Sequence, residues 1–199
     1  MWRAALRQLV CAALAALAGL HGPALAHPHG VMACALSVHY ENDRPVTLAA
    51  RLVMDEAHSV QALAALRDPQ SGQPEAQRMQ RMLFVLKTQM ARANWLLGVE
   101  SEGKPADFEA VGEPQLVLTD DGRVGVDVAL RLQTDAAGSL GAPWRFTCRD
   151  PGLYWTTELA NTPAPLKASG CARPQWSPAL KVATGALAGS VQVDLQCLR

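Results

Sequence analysis

The chain has 199 residues, 49% hydrophobic and 18% charged, and its 18 basic and 18 acidic residues cancel. That balance excludes both the basic footprint of a nucleic-acid protein and an acidic disordered tail. Aromatic residues make up only 5% and half of them are tryptophan, so Ala, Leu and Val must fill most of a core.

The first segment reads as an export signal. Arg3 and Arg7 form a positive start, residues 9–20 are small or aliphatic apart from Cys11, and Ala24-Leu25-Ala26 supplies the small-x-small cleavage pattern. The apolar run, about 12 residues, is too short to span a hydrocarbon core, which takes roughly 20. Cys11 lies within the run instead of after small residues, which argues against lipid attachment. Residues 1–26 are therefore expected to be a signal peptide and 27–199 a single periplasmic α+β domain with no membrane span. Cleavage removes two arginines and no acid, which leaves the mature chain slightly negative.

In the mature chain residues 31–40 alternate, with Met32, Cys34, Leu36, Val38 and Tyr40 on one face, as a strand does. The turn cluster 41–45 leads to a returning strand over 46–54. Residues 57–66 fit a short helix ended by Asp68-Pro69, and 71–74 a loop. Residues 75–94 show helical spacing, with Met79, Met82, Leu83, Leu86 and Met90 on one stripe. Such a methionine stripe reads as core packing, not as a metal face. Strands are expected over 95–100, 106–110, 115–118, 123–132, 144–149 and 153–159. A Pro- and Ala-rich stretch then leads to one last strand, 190–198. The fold class is α+β: a mainly antiparallel β body, in one sheet or two sub-sheets, with one main helix packed on it.

Without Cys11, four cysteines remain, and an even count in an oxidising compartment reads as two disulfides with three connectivities. Cys171 and Cys197 flank the C-terminal segment, and closing that loop would stabilise by about 3–4 kcal/mol. Cys34 and Cys148, both in strand-like runs, would be the second pair or plain buried thiols. A four-thiolate zinc site lacks any C-x-x-C pair.

Among the residues that could carry chemistry, His27-Pro28-His29 at the new terminus stands first. A terminal histidine chelates one metal through its amine and ring, and His29 adds a third nitrogen; these donors suit zinc, nickel, cobalt or copper. Pro28 has no amide hydrogen, which excludes copper or nickel binding through consecutive deprotonated amides. The alternative is a solvated terminus that happens to carry two histidines. Asp55-Glu56-Ala57-His58 places two carboxylates and a histidine at the end of the second strand. There they could ligate a metal, or Asp55 or Glu56 could cap the helix beside a surface histidine. His39, ten residues from His29 along a strand, is too far to share its metal and reads as a surface or structural residue. No hydrolase elbow, phosphate loop or zinc-protease helix is present. Asp150-Pro151-Gly152 is a strand-to-strand corner by residue type; its acid could face a cleft, without a histidine nearby in sequence.

Several fragments, in order, resemble the exported family known as domain of unknown function 1007, labelled the periplasmic component of an uncharacterised ABC-type transport system. Its mature chains begin HPHVW, where this one has His27-Pro28-His29 after Ala26. Met54-Asp55-Glu56-Ala57-His58-Ser59 stands where the family has F-D-E-x-Y-S. Residues 100–105 resemble its V-D-G-K-P-like turn, and Asp150-Pro151-Gly152-Leu153-Tyr154 its D-P-T-Y-Y. Gly170-Cys171 and Val193-Asp194-Leu195-Gln196-Cys197 resemble its closing segments. Two departures stand out: Gly30-Val31-Met32 follows HPH in place of Val-Trp, and the family's tyrosine is His58. The loop before the main helix, residues 68–72, lacks the oxygen ligands that calcium needs.

The resemblance implies a role in transition-metal handling beside membrane transporters, notably those for nickel, cobalt and zinc. On this reading the protein is a non-enzymatic periplasmic accessory to a membrane metal transporter. His27 and His29 anchor the metal, and His58 with Asp55 or Glu56 adds a ligand from the fold. One alternative is a metal-free module that docks to a transporter or envelope partner. Another is a copper oxygenase with a two-histidine brace, for which only His58 and His39 could face His27.

Overall fold

The computed structural model describes residues 30–68, 72–133, 139, 141–152, 154–162, 164–182 and 188–198. The expected signal peptide, His27 and His29 lie outside the described residues. Strands β1 (Gly30–Glu41) and β2 (Arg44–Met54) form the long hairpin that alternation predicts. Its turn uses Asn42 and Asp43 at φ 50° and 61°, residue types that tolerate the left-handed region. Helices α1 (Glu56–Arg67) and α2 (Glu75–Arg92) follow. Then come β3 (Leu97–Ser101), β4 (Lys104–Pro105), β5 (Asp107–Ala110), β6 (Gln115–Leu118), β7 (Val124–Gln133), β8 (Trp144–Cys148) and β9 (Trp155–Leu159). The chain closes with β10 (Leu166–Ser169), β11 (Arg173–Trp176), β12 (Leu180–Val182) and β13 (Ser190–Leu198).

These strands form two sheets. The first runs β10-β1-β2-β7-β5, with β9 sharing the β1 edge and β6 the β7 edge; the second runs β11-β13-β8-β3-β4, with β12 also on β13. Their inner faces pack as a sandwich. Leu36, Leu48, Leu52 and Leu130 of the first sheet and Trp144, Phe146 and Leu195 of the second are almost wholly buried. The fold is α+β and rich in antiparallel pairs. Scarce aromatics are concentrated where the layers meet, because a large ring fills the gap that many Ala and Val leave.

Both disulfides form. Cys34 of β1 joins Cys148 of β8, 114 residues away, and so bolts one sheet to the other; Cys171 joins Cys197 of β13. Cys34 and Cys148 are therefore a disulfide and not plain buried thiols.

The body is mainly antiparallel, with only β1–β9 and β1–β10 paired parallel among the described strands. Two expectations need correction. The stretch before the last strand holds three short strands. Their sequences carry no alternation because each is an edge piece held by one neighbour, and Pro174 sits in β11, where an edge tolerates a missing N–H. In addition, the strand expected from residue 95 begins at Leu97. Asn94, Trp95 and Leu96 all adopt left-handed φ of 52–56° and turn the chain from α2 into β3. Each such residue costs about 1–2 kcal/mol. Burial of Trp95 and Leu96, and the Asn94 Nδ2 bond to the Leu97 carbonyl at 3.0 Å, offset that cost.

Among the described residues, the buried Tyr40 hydroxyl has no hydrogen-bond partner, and burial raises its pKa. Tyr40→Phe is expected to leave stability unchanged or raise it by about 1 kcal/mol, since the hydroxyl is desolvated without return. A denaturant midpoint that falls by more than this would show that the hydroxyl has a partner.

Candidate functional site

The site is built where the β2 strand turns into α1. Asp55 stops the strand and caps the helix: its Oδ1 accepts from the His58 backbone N–H at 2.9 Å. Its Oδ2 accepts from the Val31 N–H of β1 at 2.8 Å. The same Oδ1 lies 2.8 Å from His58 Nδ1. Burial alone would raise the Asp55 pKa, but the bonds from the His58 and Val31 amides and the His58 ring outweigh it and hold the carboxyl below its ordinary value. Facing the carboxylate, Nδ1 carries a hydrogen, and in the neutral ring Nε2 is then the nitrogen with the lone pair.

The other wall comes from the corner after β8. The Asp150 carboxylate accepts from the N–H groups of Gly152, Tyr154 and Trp155 at 2.8–2.9 Å, which fixes that corner. Trp155 then meets the His58 ring edge-on at a centroid distance of 4.6 Å, and Tyr154 lies at 6.1 Å. The Tyr154 hydroxyl is 3.4 Å from His58 Nε2. The His58 side chain keeps only 19% of its exposure and Asp55 27%, so the pair is half-sheltered.

Gly30 completes the corner. It pairs with Trp155 and donates its N–H to the Tyr154 carbonyl at 3.3 Å. A β-carbon there would stand 2.5 Å from the Trp155 ring and 2.6 Å from His58 Cε1. Only glycine lets the start of β1 pass so close to both rings.

The expected site residues are thus partly brought together. Asp55 and His58 form a bonded pair, but both Asp55 oxygens are already engaged, so it orients the histidine. Glu56 is exposed and shares a shallow depression with Asp55, Asp121, Arg123 and Glu158, on the side away from the His58 ring's cavity. His39 sits far along β1, with Nδ1 3.0 Å from the Ser169 hydroxyl and Nε2 3.6 Å from Glu41. Among the described residues no group of three or more His, Cys, Asp or Glu is placed to hold a metal. Tyr154 and Trp155 are not among the sequence-predicted site residues, and Asp150 is predicted only as a corner acid that could face a cleft; the local signal is an acid in a turn just ahead of two aromatics.

Taken together, fold and site define a disulfide-bridged two-sheet α+β protein with a carboxylate-held histidine at a strand–helix corner. The chain belongs to the family described as protein of unknown function (DUF1007), whose model matches residues 12–193. No curated protein matches it significantly. The two departures from the family pattern, Gly30 and His58, touch each other. A valine at position 30 would meet the imidazole, so the glycine and the histidine suit one another sterically. Among the described residues no helix is long and apolar enough to cross a membrane.

Proposed function

We propose that this protein is exported through cleavage after Ala26 and works in the periplasm. There it binds a divalent transition metal (zinc, nickel, cobalt or copper) for a membrane metal transporter, without catalysing a reaction. His27, through its amine and ring, and His29 are the anchoring ligands, and His58 Nε2 is the ligand from the fold. The observation that carries this reading is the contact between Gly30 and the His58 ring. Gly30 directly follows the His-Pro-His segment in the chain, so the described structure begins beside the imidazole. The Asp55 bond to Nδ1 supports it further, because metal-binding histidines commonly give their second nitrogen to a carboxylate.

The test is N-terminal sequencing of periplasmic protein and calorimetric titration with nickel, zinc and copper. Wild type should start at His27 and bind one metal per chain. His27→Ala/His29→Ala should weaken binding by roughly 100-fold or more, and His58→Phe by roughly 10-fold or more. A different start, or equal binding by the double variant, overturns the reading.

A second reading, a docking module for an envelope partner, is favoured by Phe84 on α2, 69% exposed, and by Val60 on α1, 59% exposed. Loss of partner capture by Phe84→Ser with metal binding intact would support it.

A further inference from the structure

The helical pair does not close down on the sandwich. Although α2 has 18 residues, only Met90 is fully buried, while Met79, Met82, Leu83 and Leu86 stay half-buried. Beneath it lies a cavity of about 690 Å³, floored by Met32, Met54 and Val126 and roofed by Ala62, Leu86 and Met90. The space opens partly to solvent, so it is a cleft and not an internal void. Sites for small organic molecules occupy roughly 300–1,000 Å³, and this cleft falls within that range.

The charge of its walls selects the ligand. Among the described residues that line it there is no Lys or Arg, so an anionic head group would be desolvated without a counter-charge. Asp150, the one carboxylate on the wall among the described residues, already accepts three backbone N–H bonds and does not call for an ammonium. What remains at one end is neutral hydrogen-bonding chemistry: His58 Nε2 and the Tyr154 hydroxyl, 3.4 Å apart, with the side-chain amides of Gln61 and Gln89. We propose that this cavity binds an uncharged, mainly apolar molecule bearing a hydroxyl group, the apolar body lying on the methionines and the hydroxyl donating to His58 Nε2. This site does not depend on the metal reading.

The test uses metal-free full-length protein in excess chelator, with 1-octanol and octanoate as probes. Binding is followed by calorimetry and by the methyl NMR signals of isotope-labelled methionines. Octanol should bind saturably at one site and shift the signals of Met32, Met54 and Met90. Octanoate should bind about tenfold more weakly or worse, because its charge has no partner there. Ala62→Phe should fill the cavity and abolish octanol binding. His58→Phe, which keeps the cavity, should weaken it about fivefold by removing the acceptor. The proposal is overturned if octanol shows no saturable binding, if octanoate binds as tightly, or if folded Ala62→Phe binds like wild type. Should Ala62→Phe not fold, unchanged octanol affinity in His58→Phe overturns it as well. Because chelator is present throughout, failure here leaves the metal reading standing, and failure of the metal titration leaves this one.

Discussion

Replacing Cys34 and Cys148 together by alanine is expected to destabilise the protein by about 4–5 kcal/mol, the chain-entropy value for a loop of this length. The bond closes a loop across a sequence separation of 114 residues, against 26 for Cys171–Cys197. The second bond should therefore be worth less, about 3–4 kcal/mol. Position adds to length: Cys34 lies in the first sheet and Cys148 in the second, and both are buried in the core. Losing the link frees the two layers to separate in the unfolded chain and removes sulfur packed between them. Domains of this kind are stable by only about 5–15 kcal/mol, so the loss is a large share of the total. Denaturant unfolding of the two double variants checks it. A cost below about 1 kcal/mol, or a larger cost for Cys171→Ala/Cys197→Ala, would contradict the account.

The second large effect is expected at Asp55. Asp55→Ala removes the helix cap, worth about 0.5–2 kcal/mol. It also strands the Val31 amide, at about 1–3 kcal/mol, for a combined loss of about 1.5–5 kcal/mol. The His58 ring loses its anchor at the same time, so metal affinity should fall roughly 10- to 100-fold, as for other outer partners of metal-binding histidines. Asp55→Asn separates the two effects. Its one amide oxygen can keep the cap, but the NH2 group then faces the Val31 N–H, so only the cap's share of the stability, about 0.5–2 kcal/mol, returns, while the ring loses its carboxylate. The carboxylate also sets a pH dependence in the metal-free protein. Its pKa is lower folded than unfolded, so its contribution is fully present above the unfolded value, about 3.9. It is lost as pH falls through the folded value. Acid unfolding of Asp55→Asn should accordingly lack the part of the slope that wild type shows below about pH 4. Identical acid limbs would sink that assignment.

Much of the local structure is legible in the residues. The alternation from Met32 to Tyr40 specifies a half-buried strand because side chains alternate faces every residue. The stripe Met79, Met82, Leu83, Leu86 and Met90 specifies a helix by the 3.6-residue repeat, and Asp55 before Glu56-Ala57-His58 signals a helix start. The methionines were read as core filler, and Met90 is buried in the core. What misled was residue type without context. Trp95 and Leu96 look like strand residues, yet the chain must reverse there, and burial compensates for a left-handed backbone. Segments 166–169, 173–176 and 180–182 look irregular because edge strands take their shape from the neighbour they bond, not from their own pattern.

By itself, then, the amino-acid sequence determined the alternating strands, the helix repeats and the capping acid. All of these depend on neighbours a few residues apart. Only the tertiary structure decided that β9 and β10 run parallel to β1 and that Cys34 meets Cys148. It alone set His58 against Tyr154, 96 residues away, with Gly30 passing over the ring. It also left the helices standing off the sandwich over a cavity. Those arrangements arise from which strand edge pairs with which and how two layers stack. Such choices are made by the summed burial of the whole chain, and no local stretch of residues encodes them.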